Sequence, residues 1–185
     1  MKQVIALIFA VLATTATASQ PLFSSATDDK TIESNWSVPS PRITRAIQAS
    51  MDADQKELVS DYLSENKKIR GVRNLLSATK IQLCATCSDV FFFVRPSSSQ
   101  YSPLYGAHSY TFWLVRQDGK VVHSASVDKL DILDENNVSM RPFEQSICLT
   151  SKCYITRFEF REREYLPISC RTHYLADDLT ENNCD

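Results

Sequence analysis

Glycine is scarce in this chain, with only three among its 185 residues. A loop that holds phosphate groups through its backbone, of the GxGxxG or Walker type, needs several glycines close together. No segment of the sequence supplies them, so the nucleotide-binding enzymes that depend on such loops are excluded. The sequence also has no GxSxG turn of the kind that presents a serine nucleophile in α/β-hydrolases.

An excess of positive charge is missing as well. The 20 Lys and Arg residues are outnumbered by 22 Asp and Glu residues, which gives a formal net charge of −2. Nucleic-acid binding depends on a basic surface that releases counterions from the phosphates. The longest basic cluster, at 67–73, is short and typical of a solvated helix face. We therefore expect no nucleic-acid partner.

The sequence has one long apolar run, at residues 4–13. Its length is half of the roughly 20 residues that a membrane-spanning helix needs. Lys2 before the run, and the small residues Ala16 and Ala18 after it, complete the pattern of a cleavable secretory signal peptide. We predict a signal peptide over residues 1–18, no membrane span after its cleavage, and a secreted or extracellular protein (periplasmic if the source is bacterial).

All six cysteines lie beyond this segment, and an even number in an exported chain predicts disulfide bonds. Six cysteines allow 15 pairings. A long-range set, for example Cys84 or Cys87 with Cys170 or Cys184, stays open. The spacing favours three local bridges: Cys84–Cys87, Cys148–Cys153 and Cys170–Cys184.

Cys84 and Cys87 form a CxxC motif, which also occurs in redox sites and zinc sites. A thioredoxin-like redox site needs its first cysteine at a helix N-terminus, whereas residues 90–94 after the motif have the composition of a strand. A zinc site could add a later cysteine pair or His173, but the second pair has CxxxxC spacing. We therefore predict disulfides, with no metal and no cofactor.

The remainder of the chain divides into three regions. Residues 19–40 are rich in Ser, Thr, Asp and Pro and predict a flexible N-terminal arm. Residues 41–78 begin with a Ser-Pro helix-start signal and carry apolar residues at helical spacing. Residues 80–170 contain runs of β-branched and aromatic residues typical of strands. We predict one α+β domain over 41–185, with an N-terminal helical segment packed on a C-terminal antiparallel sheet that disulfides staple.

An Asp-Gly step at 118–119 between apolar runs is a strong hairpin signal. A turn there pairs residues whose numbers sum to about 236, which places His123 opposite Trp113. His108 would then lie on the order of 16 Å from His123, at about 3.3 Å per residue along the ladder. That separation excludes a shared metal or an acid–base pair, so we interpret His123 as structural.

A strand-and-turn pattern covers the stretches 89–93 (DVFFF), 108–114 (HSYTFWL) and 119–126 (GKVVHSAS). This pattern resembles the central strands of the NlpC/P60-type cell-wall cysteine peptidases. The resemblance implies that His108 stands at the position of the family's catalytic histidine. The nucleophile of that family is a cysteine at a helix start upstream of these strands, and no cysteine precedes Cys84. The resemblance therefore implies at most an inactive relative.

Two functions from different classes fit these observations. The preferred one is an interaction protein without catalysis, which binds a protein or another extracellular ligand through a Ser/Pro/Tyr-rich loop that contains Tyr101 and Tyr105. The alternative is a small exported hydrolase in which His108 or His173 is the base. The choice between them depends on whether a histidine lies in a cleft beside a nucleophile or a carboxylate.

Two asparagines begin Asn-x-Ser sequons, at Asn35 and Asn137. Both fall in predicted loops, where the modification needs them to be accessible. They are glycosylation candidates if the source is eukaryotic.

Overall fold

A computed structural model describes residues 21–25, 36–97, 103–105, 109–135 and 138–184. The predicted signal peptide at 1–18 and four candidate residues lie outside these ranges: Asn35, Tyr101, His108 and Asn137. Among the described residues, no helix is long and apolar enough to cross a membrane.

In the described part of the chain, two helices and a short 3-10 helix precede most of the strands. In chain order the elements are β1 Phe23–Ser24, α1 Pro41–Ser50, α2 Ala53–Glu65, the 3-10 helix Val72–Leu75, β2 Leu76–Ile81, β3 Phe91–Pro96, β4 Tyr110–Arg116, β5 Val121–Val127, β6 Lys129–Ile132, β7 Phe143–Cys148, β8 Lys152–Arg161, β9 Glu164–Tyr174 and β10 Leu179–Glu181.

Both helices begin at side chains that accept hydrogen bonds from the first-turn backbone. The amide of Ile43 donates to the hydroxyl of Ser40 at 3.3 Å, and proline occupies the first turn of α1, as the Ser-Pro signal predicts. At α2, the amide of Gln55 donates to the Asp52 carboxylate at 2.7 Å, and the Gln55 side chain accepts from the Asp52 amide. This reciprocal pair is a capping box.

The helical region ends earlier than the predicted residue 78. Gly71 has a φ of +91°, a left-handed conformation that favours glycine and interrupts the helical path. A short 3-10 helix follows, and Leu76 already begins strand β2. Leu75 and Leu76 are both buried, but Leu75 ends the 3-10 helix and Leu76 belongs to the sheet.

The strands form two antiparallel sheets. The six-stranded sheet has the order β1-β6-β7-β8-β9-β10, and the four-stranded sheet has the order β2-β3-β4-β5. Neighbours in both sheets pair antiparallel. The residues that the structure describes therefore combine mostly antiparallel sheet with two helices, which agrees with the predicted α+β content.

Part of the predicted flexible arm is built into the six-stranded sheet. Phe23 pairs with Ile132 as the first residue of β1. Ser25 is only 1% exposed, and its hydroxyl accepts from the amide of Leu130 at 2.7 Å. Because hydrogen bonds and burial fix these residues, this portion of the arm is part of the fold.

The larger of two core clusters contains buried residues of both sheets. Phe93 and Phe112 of the four-stranded sheet belong to it, together with Leu130, Phe143 and Phe158 of the six-stranded sheet. The smaller cluster contains residues of α1 and α2 and of strands β2, β3 and β4. Strand β4 supplies residues to both clusters, so six of its seven residues are buried.

The hairpin at 118–119 forms, but the register differs from the prediction by one residue over most of its length. Val115 pairs with Val121 as expected, and an irregularity then shifts the pairing so that His123 lies opposite Leu114. The physical reason is a β-bulge, which inserts one extra residue into one strand. A slip of one residue reverses the face on which a side chain lies. The predicted contact between His123 and Trp113 is therefore wrong.

All six cysteines lie in the described ranges, and none is free. The three local bridges are confirmed: Cys84–Cys87, Cys148–Cys153 and Cys170–Cys184. The second closes the turn between β7 and β8, and the third ties the segment after β10 to β9. With every thiol in a bridge, the cysteines are not available as thiolate ligands for zinc.

Candidate ligand-binding site

A guanidinium group lies at one end of the core that the two sheets share. Phe91 and Phe93 of β3 point into this core. Since alternate residues of a strand lie on one face, Arg95 follows on the same side, opposite Ser77 of β2. The charged side chain of Arg95 thus follows two buried phenylalanines on the same face of β3.

Arg95 stacks on aromatic rings. Its guanidinium carbon lies 4.5 Å from the centre of the Trp36 ring and 5.8 Å from the centre of the Tyr110 ring. Trp36 in turn meets Phe93 edge-on at 5.8 Å. Among the described residues, no carboxylate forms an ion pair with Arg95. The positive charge of Arg95 therefore contacts aromatic ring faces, and no carboxylate among the described residues forms an ion pair with it.

Tyr105, from the predicted binding loop, packs beside this group. Its ring lies 5.7 Å from the ring of Tyr110. Burial raises the pKa of Tyr105, while the nearby Arg95 charge opposes that shift. Burial likewise raises the pKa of Tyr110 to about 12, so both phenols are neutral at physiological pH and neither supplies a negative charge to Arg95.

Tyr110 also fixes the position of the aromatic group. Its hydroxyl donates to the carbonyl oxygen of Ser25 at 3.2 Å and lies 2.6 Å from the Ser25 hydroxyl. These bonds join β4 to the end of β1, although 85 residues separate the partners in sequence. The ring surface beneath Arg95 is therefore preorganised by the fold.

A cavity of about 270 Å³ opens beside the guanidinium, lined by Trp36, Ser77, Arg95, Pro96 and Ser97. Known small-molecule sites start at about 300 Å³, so this cavity suits a small group more than a large cofactor. The indole nitrogen of Trp36 is buried and has no hydrogen-bond partner among the described residues. A buried N–H group without an acceptor carries a free-energy cost. A negatively charged oxygen in this cavity would give Arg95 the counter-ion that the described residues do not supply. We call these five residues with Tyr105 and Tyr110 the Arg95 site.

His173, the described candidate base, lies elsewhere, on β9 of the six-stranded sheet. Its Nδ1 atom is 3.2 Å from the hydroxyl of Thr180, and its Nε2 atom is 3.7 Å from the carboxylate of Asp178. Asp178 has a side chain that is 96% exposed, and Thr180 lies on the exposed strand β10. The side chains of His173, Thr180 and Asp178 are in contact, but they lie on the solvent-exposed surface and not in a cleft.

His123 lies between the sheets. Its ring is 4.8 Å from Phe158 and 5.0 Å from Phe143 of the six-stranded sheet, and 5.7 Å from Phe112 of its own sheet. Its Nε2 atom is 3.3 Å from the side-chain oxygen of Gln145. Burial lowers the pKa of His123, and the hydrogen bond to Gln145 opposes this shift only in part. The residue is part of the core, as a neutral imidazole.

Sequence reasoning identified Tyr105 but missed the two residues at the centre of the site. Arg95 ends the apolar run FFFV, and its place in the alternation of β3 is the one signal that could have drawn attention to it. Trp36 lies in a region interpreted as an arm. No spacing rule connects a tryptophan at 36 with an arginine at 95.

Comparison with protein-family models, with curated proteins and with solved structures gives no match for this chain. No family is therefore assigned, and no relative supplies a ligand or a reaction.

Proposed function

We propose that this chain is a secreted, disulfide-stapled binding protein without catalytic activity, which holds an anionic group of an extracellular ligand at the Arg95 site. The observation that carries the proposal is the guanidinium of Arg95, stacked 4.5 Å from the Trp36 ring without a carboxylate partner among the described residues. Export is inferred from the signal-like residues 1–18, and three disulfides agree with an oxidising compartment.

The geometry favours an anion for three reasons. The guanidinium of Arg95 lies over the Trp36 ring, and those of its N–H groups that do not bond to the Tyr110 hydroxyl match the two oxygens of a carboxylate or phosphate. The indole N–H of Trp36 is a further donor in need of an acceptor. The neighbouring phenols are neutral and offer no competing charge.

The proposed architecture gives this site a rigid frame. We infer that the helical segment covers the side of the four-stranded sheet opposite the six-stranded sheet. The supporting observation is the smaller core cluster, in which Ile43 and Ile47 of α1 share a buried group with Trp113 and Val115 of β4. With β4 enclosed in this way, Tyr110 and the ring surface under Arg95 would not need to reorganise on binding, which reduces the entropic cost of association.

The test is isothermal titration of the mature protein with benzoate and phenyl phosphate as carboxylate and phosphate probes, and with benzamide as a neutral control of the same shape. We expect an anionic probe to bind at least about tenfold more tightly than benzamide, a difference of about 1.4 kcal/mol. Arg95→Gln should remove this preference. Arg116→Gln is the matched control, because Arg116 is paired with Asp89 and Asp118 at a different place. Equal binding of all probes to the wild type and to Arg95→Gln would overturn the proposal.

The hydrolase remains the alternative, and the contact of His173 with Thr180 and Asp178 is the observation in its favour. A base within hydrogen-bond reach of a hydroxyl is the geometry that activates a nucleophile. We expect no turnover of an ester such as p-nitrophenyl acetate above the rate shown by His173→Ala. A rate that falls in both His173→Ala and Thr180→Ala would favour the enzyme over the binding protein.

A further inference from the structure

The three disulfides differ in how far their cysteine residues are exposed to solvent. Cys87 is the only one of the six cysteines that is exposed. Its partner Cys84 is buried, with 6% of its surface accessible. Cys153 is also buried, and the remaining three cysteines are intermediate. An attacking thiolate can therefore reach one end of the Cys84–Cys87 bridge more easily than either end of the others.

Two donors surround the buried end of the same bridge. The backbone amide of Cys87 donates to the Sγ atom of Cys84 at 2.9 Å. The guanidinium of Arg141, itself only 5% exposed, donates to the carbonyl oxygen of Cys84 at 3.4 Å. The hydrogen bond to Sγ stabilises the thiolate that Cys84 becomes when the bridge opens, and the bond from Arg141 holds the backbone of Cys84 in place.

We infer that Cys84–Cys87 is an exchangeable disulfide, opened by an external dithiol that attacks Cys87. In the first step the thiolate of the dithiol bonds to Cys87 Sγ, the protein S–S bond breaks, and its electron pair leaves on Cys84. In the second step the other thiol of the reagent, as a thiolate, attacks the mixed disulfide and expels the Cys87 thiolate. The dithiol ends as a disulfide, and the protein gains two electrons and two protons.

The fold around the motif does not depend on this bridge. The amide of Arg141 donates to the carbonyl of Leu83 at 2.8 Å, and the amide of Ala85 donates to the carbonyl of Ser139 at 2.9 Å. These bonds hold the residues on either side of Cys84 to segment 139–141. A bridge across three positions also constrains the unfolded chain less than a longer one. The bridge can therefore open while the domain stays folded, which a site of thiol–disulfide exchange requires.

This property is independent of the Arg95 site, and it assigns to the CxxC motif a chemistry that does not need a helix N-terminus. The partner would be a dithiol, either a small molecule or a protein with a paired-cysteine site. Because the exposed cysteine is the second of the motif, attack occurs at Cys87, whereas a thioredoxin-like site uses its first cysteine.

The experiment is partial reduction of the oxidised full-length mature protein with dithiothreitol under native conditions, followed by acid quenching, alkylation and peptide mapping. We expect Cys84 and Cys87 to be labelled at least about tenfold faster than the other four cysteines. The near-ultraviolet circular dichroism should stay unchanged at the point where this bridge is open. Equal labelling of all bridges, or earlier labelling of Cys148–Cys153 or Cys170–Cys184, would overturn the inference.

A matched pair of variants tests which of the two sulfurs a reagent in solution reaches more easily. Cys84→Ser leaves Cys87 as the single free thiol, and Cys87→Ser leaves Cys84. We expect Cys87 to react with 5,5′-dithiobis(2-nitrobenzoate) at least about tenfold faster than Cys84, because its exposure decides access. The reverse order, or equal rates in two folded variants, would contradict attack at Cys87. The wild-type mapping stands even if one variant fails to fold.

Discussion

Acidification should weaken the contact between the two sheets, because it protonates His123. The imidazole lies within 4.8 to 5.7 Å of three phenylalanine rings, and its one side-chain hydrogen bond is to Gln145. Burial lowers its pKa from the ordinary value of 6.5. Since the folded protein resists protonation at this site, the unfolded chain takes up the proton at a higher pH than the folded protein does.

The sign and size of the effect follow from this difference. Well above pH 6.5 both states hold a neutral His123, and the residue contributes its full packing. As the pH falls below 6.5, the unfolded state binds more protons and the free energy of unfolding falls, until the folded state is also protonated. One group can change the stability by at most about 1.4 kcal/mol per pH unit in this window.

The assay is urea unfolding of the wild type and of His123→Leu at pH 7.5, 6.5 and 5.5. At pH 7.5 the leucine variant should be less stable by about 1 to 2 kcal/mol, because Gln145 loses its partner. On acidification the difference in free energy of unfolding between the wild type and His123→Leu should shrink, since leucine does not titrate. Comparison of the two proteins at each pH removes the contribution of groups that titrate alike in both.

A constant advantage at all three pH values would refute this reasoning. An advantage that grows in acid would show that the phenylalanine rings stabilise the imidazolium by cation–π contact, which can contribute up to about 2 kcal/mol in a desolvated site. In that case burial would not be the dominant influence on His123.

Three further predictions concern stability. Replacing both Cys170 and Cys184 by serine should lower the free energy of unfolding by about 3 kcal/mol in urea denaturation, because this bridge closes a loop of 14 positions; no change would show that the C-terminal segment adds nothing to the fold. Asp52→Ala should cost about 1 kcal/mol in the same assay, since α2 loses its capping box, and an unchanged midpoint would contradict that role. Tyr110→Phe should lower the free energy of unfolding by about 1 to 2 kcal/mol, because the Ser25 hydroxyl loses a partner. Spectrophotometric titration of the wild type should show one phenol that ionises near pH 12.

The sequence predicted those features that depend on neighbours in the chain. The Ser-Pro start of α1, the hairpin at 118–119 and the three local disulfides are each set by residues less than 15 positions apart. Alternation and composition also identified most strands, because a buried strand leaves a local pattern of β-branched and aromatic residues.

Features that depend on distant partners could not be predicted. The bulge in β5 has no sequence signal of its own, yet it moved His123 from a predicted contact within its own sheet to the opposite sheet. Trp36 and Arg95 meet because β2 and β3 pair and the preceding segment crosses beside them, with Ser37 bridged to Ala78. The Arg95 site is thus a product of topology, which one sequence does not reveal.

Strand β4 has a consequence for how the molecule opens. Tyr110, Phe112 and Leu114 belong to one core cluster, while Trp113 and Val115 belong to the other. Strand β4 cannot detach from its neighbours without exposing both clusters to solvent, so neither cluster can unfold alone. Its amide protons should exchange with solvent only through unfolding of the whole domain, and they should share one exchange free energy equal to the global stability. Two hydrophobic cores then behave as a single cooperative unit.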